Sequence, residues 1–439
     1  MFRYYLKLGL LGIRQNPILS GLMVAAIAIG IGACMTMVTI HYVMSGDPIP
    51  QKSDQLFYVQ LDSWSPTEPA DEPNEPPDQV TYLDATALLK AGNARRQVVS
   101  YRSGRVIEPA GQESRPFEID ARSTTSDFFA MFSVPFLYGS GWDASADANR
   151  EQVVVLDRAT NERLFGGENS VGERIVMNGD SYRVTGVLDE WLPIPKFYDL
   201  TTGEFNDPES VYFPFSVSID KEIPGHGNTN CWKPVPDGGW QSFLNSECVW
   251  MQFWVELHGD EEVREYQAFL DAYAESQKAL GRFQRPLNNR LSDVMTHLEN
   301  GEVVDQSVRI LLVLAVLFLV VCLLNTIGLL LAKVMRRSGD ICLRRALGAP
   351  RAAVFSQYIV EAGVIGLCGG ALGVLLTWLG LQGVRGLYSD LEFVKNLAQL
   401  DWVMVLTAVV LAILSALGAA LYPTWQACRI HPASQLKTL

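Results

Sequence analysis

The chain has 439 residues, 48% of them hydrophobic, and a formal net charge of −13 at pH 7. Its mean hydropathy of +0.11 is high for a wholly soluble protein, and its length allows more than one domain. The charge divides unevenly: Gly46 to Val308 holds 21 Lys and Arg against 43 Asp and Glu, a net −22, whereas the rest holds 14 against 5, a net +9. Such an acidic stretch argues against nucleic acid and anionic lipid as its partners.

Four uncharged runs account for the hydropathy: Pro17 to Gly46, Ile310 to Ala332, Ala362 to Val384 and Trp402 to Cys428. Each reaches the roughly 20 residues needed to cross about 30 Å of hydrocarbon. A buried core helix competes as an explanation for any one run, but not for four. The basic residues outside the acidic stretch lie mainly at Arg3, Lys7 and Arg14, between Lys333 and Arg351, and at Arg429 and Lys437. An excess of Lys and Arg marks the cytoplasmic side, so both termini are expected inside and the acidic segment outside.

The opening MFRYYLKLGLLGIRQN places Arg3, Lys7 and Arg14 within about 40° of one another on a helix, the basic stripe of an interfacial segment. A signal peptide competes, but the apolar run is too long for an h-region and no small-residue cleavage site follows, so an uncleaved first span is expected. That span is rich in small residues, with Ala28 and Gly32 four apart, which suits packing against another span or a second copy of the chain.

Beyond it, Leu56 to Leu61 reads as a strand, and SWSPTEPADEPNEPPD as an exposed loop. Tyr82 to Ala91 reads as a helix, and Val98 to Ile119 as short strands with turns. Val153 to Leu156 is a buried strand, Arg158 to Phe165 a helix, and Val211 to Phe215 another strand. Glu173 to Met177 and Ser181 to Val187 are the arms of a hairpin around Asn178-Gly179-Asp180, which supplies the positive φ such a turn wants.

Gly225 to Cys248 looks like an insertion loop and holds Cys231 and Cys248, the two cysteines of the acidic stretch. In an oxidising compartment they are candidates for a disulfide; two free buried thiols are the competing reading. His226 and His258 make no metal-ligand spacing with them, so no metal site is expected. Asp260 to Gly281 has helical spacing. A further helical pattern from Asn288 to Val303 is expected to run without a break into the second span, since no proline or paired glycine interrupts Leu291 to Leu324.

Polar residues within the spans are few: Asn325, Thr326 and Thr377, with Glu361 as a charged candidate at the cytoplasmic edge, so an ion or proton channel is not expected. Gly366, Gly370 and Gly373 form a close-packing face. The segment KVMRRSGDICLRRALGAPR, Lys333 to Arg351, holds six basic residues against Asp340. It is punctuated as a short helix: Ser338 caps it, Asp340 suits the dipole, Arg344 and Arg345 lie toward its end, Gly348 closes it and Pro350 stops it. About ten helical residues span only about 15 Å, too short to cross a bilayer.

The order D-I-C-L-R-R-A-L-G-A-P-R, followed by Gln357 and Glu361, resembles the cytoplasmic coupling segment of FtsX/MacB-type ABC transporter permeases, with Asp340 where Glu is commoner and Cys342 where an aliphatic is commoner. TSDFFAMFSVPFLYGSGW, from Thr125, and VVVLDRATNERLFGGENSVGERIVMNGDSYRVTGVL resemble the MacB-type periplasmic core. The terminal YPTWQACRIHPASQL resembles the family's last signature, with His431 where an acid is common.

The resemblance implies an α-helical membrane protein with four transmembrane helices and a large α+β periplasmic domain inserted between the first and second. The expected layout is an interfacial helix over 1–16, spans over 17–46, 306–332, 352–384 and 402–425, a periplasmic core over 47–305, a coupling loop over 333–351, a short outer loop over 385–401 and a cytoplasmic tail over 426–439. By the same resemblance, Asp340, Ile341, Leu343, Arg344, Arg345, Ala346, Leu347 and Gly348 contact an ATPase.

No G-x-x-x-x-G-K-[ST], nucleophile elbow, zinc motif or cofactor glycine fingerprint occurs, so no catalytic residue and no cofactor is assigned to this chain. ATP and Mg are expected on a separate ATPase dimer, and a second permease chain, membrane lipids, a periplasmic adaptor and an outer-membrane channel are the implied partners in a bacterial inner membrane. Two functions compete: export of a periplasmic drug, peptide or lipid-linked cargo, and FtsX-like mechanical control of an extracytoplasmic enzyme.

Overall fold

A computed structural model describes residues 14–70, 73–109, 115–337, 339, 343, 347–348, 350–387 and 402–429. The longer helices, in chain order, are α1 (Pro17–Met44), α2 (Tyr82–Ala91), α3 (Arg158–Phe165), α4 (Gly259–Ala279), α5 (Val294–Asn300), α6 (Gln306–Arg336), α7 (Arg351–Leu387) and α8 (Trp402–Arg429). The chain forms two compact units, Gly46–Val303 and the flanking Met1–Ser45 with Val304–Leu439.

The Gly46–Val303 unit is built on a mixed sheet of eleven strands: β1 (Leu56–Gln60), β2 (Val80–Thr81), β3 (Arg96–Glu108), β4 (Phe117–Thr124), β5 (Phe136–Gly139), β6 (Val153–Leu156), β7 (Arg174–Met177), β8 (Asp180–Leu188), β9 (Val211–Pro214), β10 (Val249–Glu256) and β11 (Arg290–Asp293). The order is β11-β1-β10-β3-β4-β9-β6-β8-β5, with β2 on β10 and β7 bridging β3 and β8. Strands β3, β4, β9, β6, β8 and β7 therefore close on themselves around a core of Ile107, Ala121, Val154, Met177, Tyr182, Val184 and Phe213.

Only 13 residues of continuous strand make this closure possible. The sequence reads Val98 to Ile119 as short strands with turns, but β3 is a single strand whose first half pairs with β10 and whose last residues pair with β7. Its polar residues Ser100, Arg102 and Ser103 hide the strand signal. Central β10 is buried at every position: Phe253 and Val255 face one core, Trp254 the other.

The β7–β8 turn is tighter than the sequence suggests. Asn178 (φ 50°) and Gly179 (φ 82°) alone make it, and Asp180 already pairs with Met177. Helix caps follow local chemistry: Thr81 accepts from Asp84 N at α2, Asp157 from Thr160 N at α3, and Asp293 from Thr296 N at α5.

The expected continuous helix into the second span is not formed. Residues 290–293 are a strand paired with β1, α5 ends at Asn300, and a new helix starts at Gln306 under an Asp305 cap. Ser292 and Leu291 satisfy the sheet rather than a helix, and the Asp293 and Asp305 caps each begin a separate helix.

In the other unit α1, α6, α7 and α8 are long and apolar enough to cross a membrane. Three helices outrun the uncharged runs: α6 continues to Arg336, α7 spans Arg351–Leu387 and α8 reaches Arg429, because basic side chains at helix ends do not interrupt backbone hydrogen bonding. The small residues pack within the chain. A Cβ on Gly32 would lie 2.8 Å from Leu376 Cβ, and one on Gly366 would lie 2.7 Å from Ala416 Cβ. Glycine there lets α7 approach both α1 and α8. Leu311, Leu314, Leu317 and Val321 leave an apolar face of α6 exposed, as lipid contact requires.

Candidate functional site

Of the residues assigned to ATPase contact, Asp340, Ile341, Arg344, Arg345 and Ala346 lie outside the described residues. Leu343 and Leu347 are 62% and 81% exposed, and Leu347 N–H donates to the Leu343 carbonyl at 3.0 Å, one helical turn apart. Gly348 follows with φ 99°, a conformation that suits glycine and ends a helix. Two leucines four residues apart, both presented to solvent, form an unsatisfied apolar pair beside the start of α7.

The helices flanking this segment are locked together by charge. Lys333 in the last turn of α6 and Glu361 in α7 form an ion pair in which each side chain is 1% exposed. The Lys333 ammonium also donates to Ser20 Oγ of α1 at 2.9 Å. One turn on, Arg337 donates to Gln15 Oε1 at 2.9 Å, and Val334 packs with Val354 and Tyr358. The sequence places Lys333 in a basic loop and leaves Glu361 at the membrane edge; the structure buries both. A lone acid in an apolar helix demands a partner, and that was the available signal for the pair.

The α+β unit holds a second buried charge cluster. Arg122 on β4, Lys196, Asp199 and Glu209 are all buried, and the Arg122 guanidinium pairs with both Asp199 and Glu209, the latter at 2.6 Å. Lys196 Nζ lies 3.3 Å from Glu209 Oε1, and the Tyr198 hydroxyl donates to Glu209 Oε2 at 3.0 Å. Gln252 Nε2 donates to Asp199 Oδ1 at 3.0 Å. Burial would push the Glu209 carboxyl up, but Arg122 and Lys196 overturn that and hold it well below the usual carboxylate range. Nearby His297, buried against Tyr58 with ring centroids 4.0 Å apart, is pushed down to about 3 by desolvation, against the opposing field of Asp199.

These groups are paired rather than poised for reaction. Among the described residues no group of three or more His, Cys, Asp or Glu could hold a metal ion. Cys231 and Cys248 are joined as a disulfide, which closes the loop that leads into β10.

Fold and site together define a helical membrane protein that carries a large α+β domain between its first and second spans. The chain belongs to the MacB-like periplasmic core domain family, matched over residues 20–268, and it matches the FtsX-like permease C-terminal family over residues 312–432. It is therefore an FtsX/MacB-like ABC transporter permease.

Among similar proteins, the macrolide export ATP-binding/permease protein MacB of Salmonella typhi is 28% identical over 266 residues, covering 59% of this chain and 35% of the relative. MacB of Escherichia coli K12 is 28% identical over 268 residues with the same coverage. The chain thus matches about a third of the length of these curated relatives, 35% in each case. The periplasmic region of MacB from Actinobacillus actinomycetemcomitans has 14% identity and a TM-score of 0.37, covering 57% of this chain and 94% of that one. The extracellular domain of the ABC-type transporter YknZ from Gram-positive bacteria has 11% identity and a TM-score of 0.35, covering 54% and 99%.

Proposed function

We propose that this chain is the permease subunit of an ATP-driven transporter in the bacterial inner membrane, converting ATP binding and hydrolysis on a separate ATPase dimer into movement of a periplasmic domain. That movement drives export of a periplasmic substrate of the drug, peptide or lipid-linked class. The observation that carries the reading is the joint match of one chain to a MacB-like core and an FtsX-like permease part. The exposed Leu343 and Leu347 between α6 and α7 support the placement of the ATPase contact. Two permease chains pair, ATP and Mg bind the ATPase, and an adaptor with an outer-membrane channel completes the export route. Both termini and residues 338–350 face the cytoplasm, in keeping with the positive-inside distribution.

Gentle purification from the native membrane tests this. An ATPase together with a periplasmic adaptor is the expected result. An ATPase with a cell-wall hydrolase and no adaptor would replace export by mechanical regulation, and the absence of any ATPase would overturn the permease role.

A further inference from the structure

We infer that Lys333 and Glu361 are positioning residues that join α6 and α7 to α1 next to residues 338–350, so that displacement of that segment is passed to α1. The inference rests on the reading of residues 338–350 as the ATPase contact.

The argument begins with cost. Each charge loses several kcal/mol of hydration on burial, and replacing a buried ion pair by apolar side chains is often neutral or stabilising. Helix packing does not need the pair here. Close approach along α7 is already secured at Gly366, Gly369 and Gly373, where added Cβ atoms would meet Ala416, Ile27 and Ile31. What the ion pair adds is direction. Apolar contacts such as Val334 with Val354 and Tyr358 tolerate sliding, whereas an ammonium that donates to a hydroxyl on α1 while facing the charge of a carboxylate on α7 is fixed in position by both.

The geometry is selective as well. Lys333 reaches Ser20 in α1 and, one turn later, Arg337 at the end of α6 reaches Gln15, two residues before α1, so the end of α6 meets the start of α1 twice. Ser20 lies in the first turn of α1, whose other end, Met44, is followed within two residues by the first residue of the α+β unit, Gly46. A push on the segment between α6 and α7 therefore reaches, through Lys333, the helix that leads by chain into the first residue of the large domain, as α6 itself follows the last, Val303.

The test uses the full chain in complex with its co-purified ATPase. Spin labels at Tyr42 and Leu406, exposed positions near the ends of α1 and α8 remote from Lys333, report the nucleotide-dependent change in distance as α1 moves against a helix that the ion pair does not hold. Lys333→Met, Glu361→Gln, the double variant K333M/E361Q and the charge-reversed K333E/E361K are compared for bound ATPase, ATP hydrolysis and this distance change. The double neutral variant buries no unpaired charge, so it separates function from folding. Expected are wild-type ATPase binding with continued hydrolysis, a distance change reduced about fivefold or more in K333M/E361Q, and recovery in K333E/E361K. An undiminished change in K333M/E361Q, or no recovery on charge reversal, overturns the inference. A wild-type complex that shows no nucleotide-driven change, or no bound ATPase, overturns the proposed function itself, and the inference with it.

Discussion

Arg122 and Glu209 meet at 2.6 Å with both side chains out of contact with solvent, and the same guanidinium nitrogen also pairs with Asp199. Lys196 completes a neutral group of two cations and two anions. Between β8 and β9 the chain has little regular structure beyond a single turn at Leu200–Thr202. Its Lys196, Asp199 and Glu209 side chains are buried, and Asp199 and Glu209 pair with Arg122 of β4, which holds the segment in place.

Removing one member leaves charges buried without a match. Arg122→Met would leave Asp199 and Glu209 facing Lys196 alone, and the expected loss is about 3–5 kcal/mol. Denaturant unfolding of the detergent-solubilised chain, followed by fluorescence of the buried Trp254, measures it. Loss of less than about 1 kcal/mol would place the network among those that contribute nothing net to stability.

His297 gives the α+β unit a distinct acid response. Its folded-state value of about 3 lies below the unfolded histidine range near 6.5, so the unfolded chain binds a proton that the folded chain excludes. The contribution is fully present above the unfolded value and falls as pH drops from about 6.5 toward about 3, by about 1.4 kcal/mol per unit. Carboxylates held low, such as Glu209 and Glu262, act in the same direction but only below the ordinary carboxylate range. His297→Phe keeps the ring against Tyr58 and Trp254 and should flatten the stability profile between pH 6.5 and pH 4.5. An unchanged slope in that window would assign the response to other groups.

The sequence was most legible where apolar periodicity or turn chemistry acted alone. The four spans follow from uncharged runs, and the strand expected over Val153 to Leu156 and the helix over Arg158 to Phe165 form with those bounds. It was least legible where partners distant in sequence decide. Arg122, Lys196, Asp199 and Glu209 look like surface charges until β4 and the β8–β9 connection are brought together. Lys333 likewise reads as one more basic residue of a cytoplasmic loop, and only the approach of α7 shows that it faces Glu361. The break at Gly301 to Asp305 was hidden because no single breaker marks it; strand pairing of β11 with β1 and two aspartate caps make it.

The Cys231–Cys248 bridge closes a loop with a sequence separation of 17, and in the chain-entropy model such a closure contributes about 3 kcal/mol. Cys231→Ser with Cys248→Ser should lower the unfolding midpoint of the α+β unit, and the loss should match that produced by reductant on the wild type. A non-reducing peptide map gives the direct check. Peptides holding Cys231 and Cys248 should migrate as one species, and separately alkylated peptides would rule the bridge out.

Leu343 and Leu347 give the sharpest test of where the ATPase sits. Each is exposed, and in the proposed ATPase contact burial of the pair would remove two leucine side chains from water, at about 1.5–3 kcal/mol apiece when complete. Leu343→Asp or Leu347→Asp replaces that gain by the burial of an unpaired carboxylate, and binding should weaken by at least about 100-fold. Membrane insertion should be untouched, because neither residue belongs to α6 or α7. Protease accessibility of the large domain checks insertion, and recovery of the ATPase with the tagged chain checks binding. Normal recovery in both variants would move the contact away from these leucines.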